Sequence, residues 1–515
     1  MTDYDELPYD DFPFPETHPA HLGGVAALFG LGAAPAESCR VLELGCGLGT
    51  NLLAMAVALP ESVFVGIDAS ARQVAAGRAD AEAMGLRNVA LHAKDILDVD
   101  ARLGPFDYII CHGVYSWVSA EVQARILALC RAMLAPDGVA YISYNTLPGW
   151  HLRGAIRGML MQEVAAEAPA AARVASAREL LGLLEDSQGA SGAHTWLHEE
   201  LRLLGRMSDA YLLHEHLAPE NRAMWFRDFA VAAEGAGLQY LGDAHLWSMM
   251  PDRLGPAAAA SIARRSRGFL ETEQLIDYMD LRFFRRSLLC HEEARLDRAL
   301  RWRRLSGLWL RAGVVKDEGD EGDSGAMGGT REASFSIGRG LSLNTSNPHL
   351  GAALTLLGER YPGGVEFEAL CAEALAQAGD AGGNEAVARL GKNLLGLLVR
   401  GEIAADAWAR PCAPEAGARP ATTALARLEA ARGRDGCTSL LHERVAVDAF
   451  DRALLTRMDG SRDRDALARG AREEIAAGKL TVEVEGVSRS EPEVLREITE
   501  QKLGRLARAG FVLAR

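Results

Sequence analysis

Between residues 22 and 145, short β-branched and apolar runs alternate with stretches whose apolar positions recur at helical spacing. The pattern predicts strands at Arg40–Leu44, Val63–Asp68, Val89–His92, Phe106–Cys111 and Val139–Tyr144. Helices are expected over Asn51–Leu59, Ala71–Met84 and Ala120–Leu134. Strands that are nearly continuously apolar and separated by helices belong to a parallel sheet covered on both faces. The region therefore reads as a doubly wound α/β domain.

From about 150 to 220 the strand pattern stops, and HLRGAIRGMLMQEVAAEA and ASARELLGLLED carry helical periodicity. RAMWFRDFAVAAEGAGLQYLGDAHLW then predicts a helix, a stop at Gly237 and a strand at Gln239–Leu241, so the sheet resumes after a helical insertion. Helices are expected from 256 to 313, one of them over LIDYMDLRFFRRSLLC at 275–290. VKDEGDEGDSGAMGGTREAS at 315–334 is acidic and glycine-rich, and reads as a flexible linker and the firmest domain boundary. Beyond it the chain is helical with short strands such as Leu480–Val484. NLLGLLVRGEI at 393–403 echoes QKLGRLARAGF at 501–511, each like the helix and first wing strand of a winged helix or simply a packed helix.

Of the 515 residues, 49% are hydrophobic and 24% charged, which supports a large buried interior and excludes a disordered chain. Asp and Glu number 70 against 55 Lys and Arg, a formal net charge of -15. That field repels phosphate backbones, so no nucleic-acid partner is expected, and it attracts lysine-bearing ones. The cysteines are scattered with no CxxC pair, as expected of reduced, core-filling thiols. The first residues, MTDYDELPYDDFPFPETHP, are acidic and proline-broken, unlike a signal peptide, and no apolar run reaches membrane-span length. A cytoplasmic protein with no membrane insertion is expected.

The chemistry concentrates in CRVLELGCGLGTNLLAMA at 39–56. A strand runs into Gly45, Gly47 and Gly49 and a helix begins at once, so the backbone can turn sharply and meet a ligand at the helix N-terminus. The dinucleotide fingerprint GxGxxG would need glycine at Thr50; here the order is Glu43-x-Gly45-x-Gly47-x-Gly49. Asp68 closes the second strand, where a carboxylate can accept both hydroxyls of a ribose. Lys94-Asp95-Ile96 follows the third strand, FDYIICHGVYSWV carries Cys111, His112 and Tyr115 to the same edge, and LAPDG precedes the fifth strand. This order resembles the class I S-adenosylmethionine (SAM) methyltransferases. The resemblance implies SAM as cofactor, held by Glu43, Gly45, Cys46, Gly47, Gly49, Asp68, Ala69, Lys94, Asp95, Ile96 and Cys111. Asp137 stands where the family's turn has its first glycine, and no Asn-Pro-Pro-Tyr follows the fourth strand, which argues against methylation of adenine or of a glutamine amide.

Nearly the whole chain also resembles bacterial class I methyltransferases that carry a methyltransferase regulatory domain, whose best-known members modify lysines of outer-membrane protein. The matching segments are YDELPYDDFPFPETHP at 4–19, VLELGCGLGTNL at 41–52, ISYNTLPGW at 142–150, YLLHEHLAPENRAMWFRDFAVAAEGAGLQYLGDA at 211–244, RRSLLCH at 285–291 and LLHERVAVDAFDRALLTRMDGSRDRDAL near the C-terminus. The expected organisation is an arm (1–20), a SAM-binding core (21–150 and 221–250) and a helical lid (151–220). A helical regulatory region (251–314), the acidic linker (315–336) and a winged-helix-like region (337–515) follow. The resemblance implies methyl transfer to protein lysines; a small-molecule O- or N-methyltransferase and a SAM-sensing scaffold are the rival readings. Tyr115, Tyr144 and His112 are then the catalytic-pocket residues, with Tyr9, His18, Trp117 and Trp150 on the substrate side. A lysine-bearing protein and a second copy of the chain are the expected partners. His214, His216, His194 and His198 lack a third ligand at metal-site spacing, so no metal is expected.

Overall fold

The computed structural model describes residues 6–7, 11–165, 168–188, 195–317, 333–338, 341–380, 382–484, 487–488 and 490–514. Its centre is a seven-stranded sheet built from β1 (Arg40–Leu44), β2 (Val63–Asp68), β3 (Val89–Ala93), β4 (Phe106–Cys111), β5 (Leu134–Asn145), β6 (Leu238–Asp243) and β7 (Phe284–His291). The order across the sheet is β3-β2-β1-β4-β5-β7-β6. The first five strands are parallel, and β7 runs antiparallel between β5 and β6. β1 is covered on both faces, so Val41, Leu42 and Leu44 are buried without alternation. The chain reverses its outward march between β3 and β4, beside β1; such a switch point opens a crevice at the carboxyl edge.

Helices α1 (Pro19–Leu28), α2 (Thr50–Ala58), α3 (Ala71–Ala83) and α4 (Ala120–Met133) belong to this first half. After β5, α5 (Gly149–Glu163), α6 (Ala170–Gln188) and α7 (Thr195–Gly205) build the insertion, which ends in a π-helical turn at Leu212–His216. The insertion has its own apolar core, from Ile156 and Leu160 to Leu213 and Leu217. Helix α8 (Phe226–Gly235) leads back into β6, and α9 (Pro256–Arg265) and α10 (Phe269–Asp280) lead into β7.

Three sequence expectations are corrected here. The helix expected over 275–290 stops at Asp280, because Leu281 adopts φ 47°, and FRRSLLCH is strand β7. The acidic stretch lies largely outside the described residues, but it is not a boundary between independent units. Strand β8 (Trp309–Arg311) precedes it and β9 (Val314–Lys316) enters it; β9 pairs with β10 (Ala333–Ile337), which begins within its far end, and β10 with β11 (Leu341–Thr345). β8 takes β12 (Val365–Glu366) and β13 (Ala404–Asp406) as antiparallel partners. The region at 251–314 is consequently not all helical.

Helices α11 (Pro348–Arg360), α12 (Phe367–Gln377) and α13 (Asn384–Val399) share one apolar core with the sheet, and that core extends from Leu22 to Ala405. A separate core begins at Ala416 and ends at Val512. It joins α14 (Ala424–Ala431), the hairpin β14 (Gly436–Thr438)–β15 (Arg444–Ala446), α15 (Ala449–Leu455), α16 (Arg464–Ala476) and α17 (Pro492–Arg508). The change of core, and not the acidic stretch, separates the C-terminal module.

Inside the sheet's α8–α10 side, Arg285 of β7 is fully buried and forks onto Asp277, with Nε to Oδ2 at 2.8 Å and Nη2 to Oδ1 at 2.9 Å. Its Nη1 reaches Glu273 at 3.0 Å. Removing one member of such a buried set strands the others without charge compensation. Arg285→Met is expected to destabilise the core by about 3–5 kcal/mol in urea unfolding; a loss below about 1 kcal/mol, the scale of a surface ion pair, would contradict this role.

Candidate active site

The glycine loop joins β1 to α2. Gly45 (φ 78°) and Gly47 (φ 55°) occupy the left-handed region that glycine adopts freely. A Cβ on Gly45 would come within 2.3 Å of Val114 Cγ2, so the loop can lie against the chain after β4 only as glycine. Gly45 N and Cys46 N both donate to Ile67 O, at 2.8 and 3.0 Å, which fastens the loop to β2. Asp68, at the end of β2, accepts from Gly47 N through Oδ2 and from Ser70 N through Oδ1, each at 2.8 Å. The register is carried onward by Lys94 N, which donates to Asp68 O at 2.8 Å. Asp95 is exposed and caps the next turn through Leu97 N at 2.8 Å; Ala69 and Lys94 are exposed beside it, and Ile96 is half-buried. Cys46 and Cys111 are buried thiols pushed well above their ordinary range, chiefly by burial.

Glu43 dominates the electrostatics. Its side chain is buried, Oε1 accepts from Asn51 Nδ2 at 2.8 Å, and Oε2 has no partner among the described residues. Burial raises its pKa to about 8; the Asn51 hydrogen bond opposes the rise, and Asp11 and Asp68 reinforce it. Asp11, delivered by the arm, accepts from Thr50 N at 3.2 Å at the start of α2 and is itself raised to about 6, again mainly by burial. A buried carboxylate oxygen with no donor, flanked by two further carboxylates and a glycine cradle, suits a ligand bearing a cationic amine and a ribose. SAM has both, so the residues present fit it. Glu43 would hold the amino group and Asp68 the ribose hydroxyls, with Asp95 at the adenine end.

The arm covers the neighbouring edge. Phe14 N donates to Asn51 Oδ1 at 3.1 Å, and the Phe14 ring lies 3.7 Å from the His112 ring centroid. His112 Nδ1 pairs with Tyr141 OH at 2.9 Å, and burial lowers its pKa to about 4, so the ring is neutral at physiological pH. Glu16 is locked to Arg286 of β7 at 2.7 Å; burial would raise its carboxyl, but Arg286 draws it down to about 2. Leu7 O accepts from His214 Nε2 of the π-helical turn at 2.7 Å, tying arm to lid.

Several expected pocket residues lie elsewhere. Tyr144 stacks on Phe229 of α8 at 4.3 Å and bonds Ser287 Oγ at 3.0 Å; Tyr115 meets Phe229 edge-on at 5.5 Å. Both are core residues, because Tyr144 and Tyr141 sit on opposite faces of β5 and Tyr141 is the one that reaches His112. His18 is not on a substrate surface: it is buried, accepts from Ala20 N at 3.1 Å as the cap of α1, and stacks on Trp408. Tyr9 lies outside the described residues. Trp117 and Trp150 do come together, T-shaped at 6.2 Å, with Arg153 over Trp150 at 5.7 Å and paired to Glu200 at 2.8 Å. Among the described residues no group of three or more His, Cys, Asp or Glu could hold a metal ion, and no helix is long and apolar enough to cross a membrane. Asp11, Phe14, Asn51 and Arg286 were not anticipated; Asn51, polar in the first turn after Gly49, carried the one local signal.

Strand order, glycine loop and acidic strand ends define a class I SAM-dependent methyltransferase. Three family descriptions match the chain: a methyltransferase domain at 41–138, a predicted methyltransferase regulatory domain at 208–291 and the PKMT C-terminal winged helix domain at 418–511. Protein RP789 of Rickettsia prowazekii is 32% identical over 502 residues, covering 96% of this chain and 90% of its own. RP028 of the same organism is 40% identical over 233 residues, 45% of this chain and 93% of its own. The structure of PKMT2 from Rickettsia typhi superposes with a TM-score of 0.88 at 29% identity, covering 98% of this chain and all of the other. Its complex with AdoHcy gives 0.87 at 28% identity and 98% coverage. The chain belongs to this family of methyltransferases with a regulatory domain and a PKMT-type winged helix, and SAM is its cofactor.

A cation beside Glu43 favours its ionised form, so below pH 8 binding expels a proton. SAM affinity is expected to rise by up to about tenfold per pH unit between roughly pH 6 and 7.5, and to lose that slope in Glu43→Gln. Without cofactor, the raised carboxyl favours the fold fully below its unfolded value of 4.5 and ceases to do so as pH rises through about 8. Flat affinity across that range in calorimetry would contradict the assignment. Asp68→Ala should weaken SAM by about 1.5–3 kcal/mol through lost hydrogen bonds to a charged group; unchanged affinity would remove Asp68 from the site.

Proposed function

We propose that this methyltransferase transfers methyl groups from SAM to lysine side-chain amines of a protein. The observation that carries the reading is the likeness to PKMT2 over 98% of the chain, lid and winged helix included, and not over the SAM domain alone. The net charge of -15 favours encounter with lysine-bearing segments. Trp117 and Trp150, paired where β5 gives way to the lid, supply an aromatic wall.

SAM supplies an electrophilic methyl group. The chain's task is to bring the amine into line and exclude water, which is worth about 7–11 kcal/mol when the geometry is right. An acceptor lysine, with a reference pKa near 10.4, must arrive as the neutral amine. Burial under the arm and lid disfavours the ammonium form. His112, neutral and held by Tyr141, adds a polar wall without a competing positive charge.

Incubation of the full chain with labelled SAM and cell extract, followed by mass spectrometry, is expected to place methyl groups on lysine amines. The single-turnover rate should climb with pH as the amine loses its proton. Trp117→Ala should lower transfer to protein by about 10–100-fold with little change in SAM affinity, as loss of positioning predicts. Label on carboxylates or hydroxyls, or turnover confined to a small metabolite, would overturn the proposal.

A further inference from the structure

The tip of the β14–β15 hairpin, in the C-terminal module, inserts His442 against the SAM domain. His442 Nε2 lies 2.7 Å from Asn51 Oδ1, and the same amide's Nδ2 donates to Glu43 Oε1 at 2.8 Å. Asn51 is thus held from both ends: its oxygen by His442, by Phe14 N of the arm and by Thr17 Oγ1 at 3.2 Å, its nitrogen by the Glu43 carboxylate and by Thr17 Oγ1 at 3.1 Å. His442 is buried and has φ 64°, one of two non-glycine residues with positive φ in the described chain. Backbone strain at a buried polar contact marks a position kept for what the side chain does. Burial, with Arg410 nearby, lowers its pKa to about 3, so the ring is neutral; because Asn51 Oδ1 only accepts, the tautomer that makes this bond carries its hydrogen on Nε2. The His18 ring meets it edge-on at 5.2 Å, and Arg432 of the same module pairs with Asp80 of α3, with Nη1 to Oδ2 at 2.7 Å. The contact belongs to a docked interface and is not an isolated touch.

We propose that His442 is a positioning residue for cofactor binding: by fixing the Asn51 amide it orients Glu43, so that docking of the C-terminal module completes the SAM site. The proposal uses the cofactor site alone and is independent of which acceptor is methylated. Without His442 the Asn51 oxygen keeps only its Phe14 and Thr17 contacts, so the amide is held less firmly and the donor that favours the charge of Glu43 is less well aimed. Linkage makes the effect reciprocal, so SAM should tighten the docking of the module. A chain truncated before the acidic stretch would by the same reasoning bind SAM poorly, although it keeps every glycine and acidic residue of the loop.

The test uses the full-length protein and SAM affinity by calorimetry. His442→Gly relieves the left-handed backbone and removes the donor; SAM should bind about tenfold or more weakly while the melting temperature holds or rises. His442→Gln places an amide N–H at the same bond count from Cα as Nε2, and should restore affinity to within a few-fold. His442→Asn tolerates the left-handed backbone but is one bond too short, and should behave like the glycine variant. SAM should also increase hydrogen-exchange protection of residues 436–446 in the wild type and not in His442→Gly. Wild-type affinity in a folded His442→Gly overturns the proposal, as does equal affinity of the Gln and Asn variants. Should the glycine variant fail to fold, the Gln–Asn pair decides.

Discussion

A carboxylate buried at the end of a central strand, with one oxygen bonded and the other facing no donor, is the constraint around which this enzyme is arranged. An isolated buried charge is costly enough that the group takes up a proton instead, and Glu43 does so to about pH 8. Its neighbours do not relieve it: Asp11 and Asp68 add negative charge, and the Asn51 amide offers one hydrogen bond. A cation beside Oε2 would relieve that imbalance, as the amino group of SAM would at this position. The same imbalance would favour a ligand that carries an amine over one that fits the glycine cradle without it.

The elements that close the site come from distant parts of the chain, and each is secured by its own polar contact. The arm is tied to β7 by Glu16–Arg286, to α2 by Asp11 and Phe14, and to the lid by Leu7. The C-terminal module is tied to α2 by His442 and to α3 by Arg432. Helix α1 packs so closely on β13 that a Cβ on Gly24 would sit 2.5 Å from Ala405 O, joining the region beyond the acidic stretch to the cofactor domain. Of these ties, Asp11 acts on Glu43 directly and Phe14 and His442 act through Asn51, so the arm and the module bear on the electrostatics of Glu43 and not only on access.

How much of this was legible in the sequence depended on range. The inner parallel strands β1 and β4 are buried on both faces and β2 nearly so, and all three announce themselves as apolar runs whose bounds follow directly from the sequence. Glycine positions and terminal acids follow from the loop's local geometry, and they too were visible. β7 was misread as helix because Phe284–His291 follows a true helix with no proline or glycine between them; the stop is a left-handed leucine. The acidic stretch resembled a boundary because composition reports solvation, not what the flanking strands pair with. Tyr144 was assigned to the pocket because a strand's period shows that faces alternate without showing which one the cofactor edge uses. Asn51 and His442 lie 391 residues apart, and nothing local connects them.

The most direct test of the account is a crystal structure of the full-length protein with AdoHcy bound. The account predicts the ligand's amino group within hydrogen-bond distance of Glu43 Oε2, with Asn51 still on Oε1 and His442 still on Asn51. An amino group held elsewhere, with Glu43 Oε2 left without a donor, would contradict it.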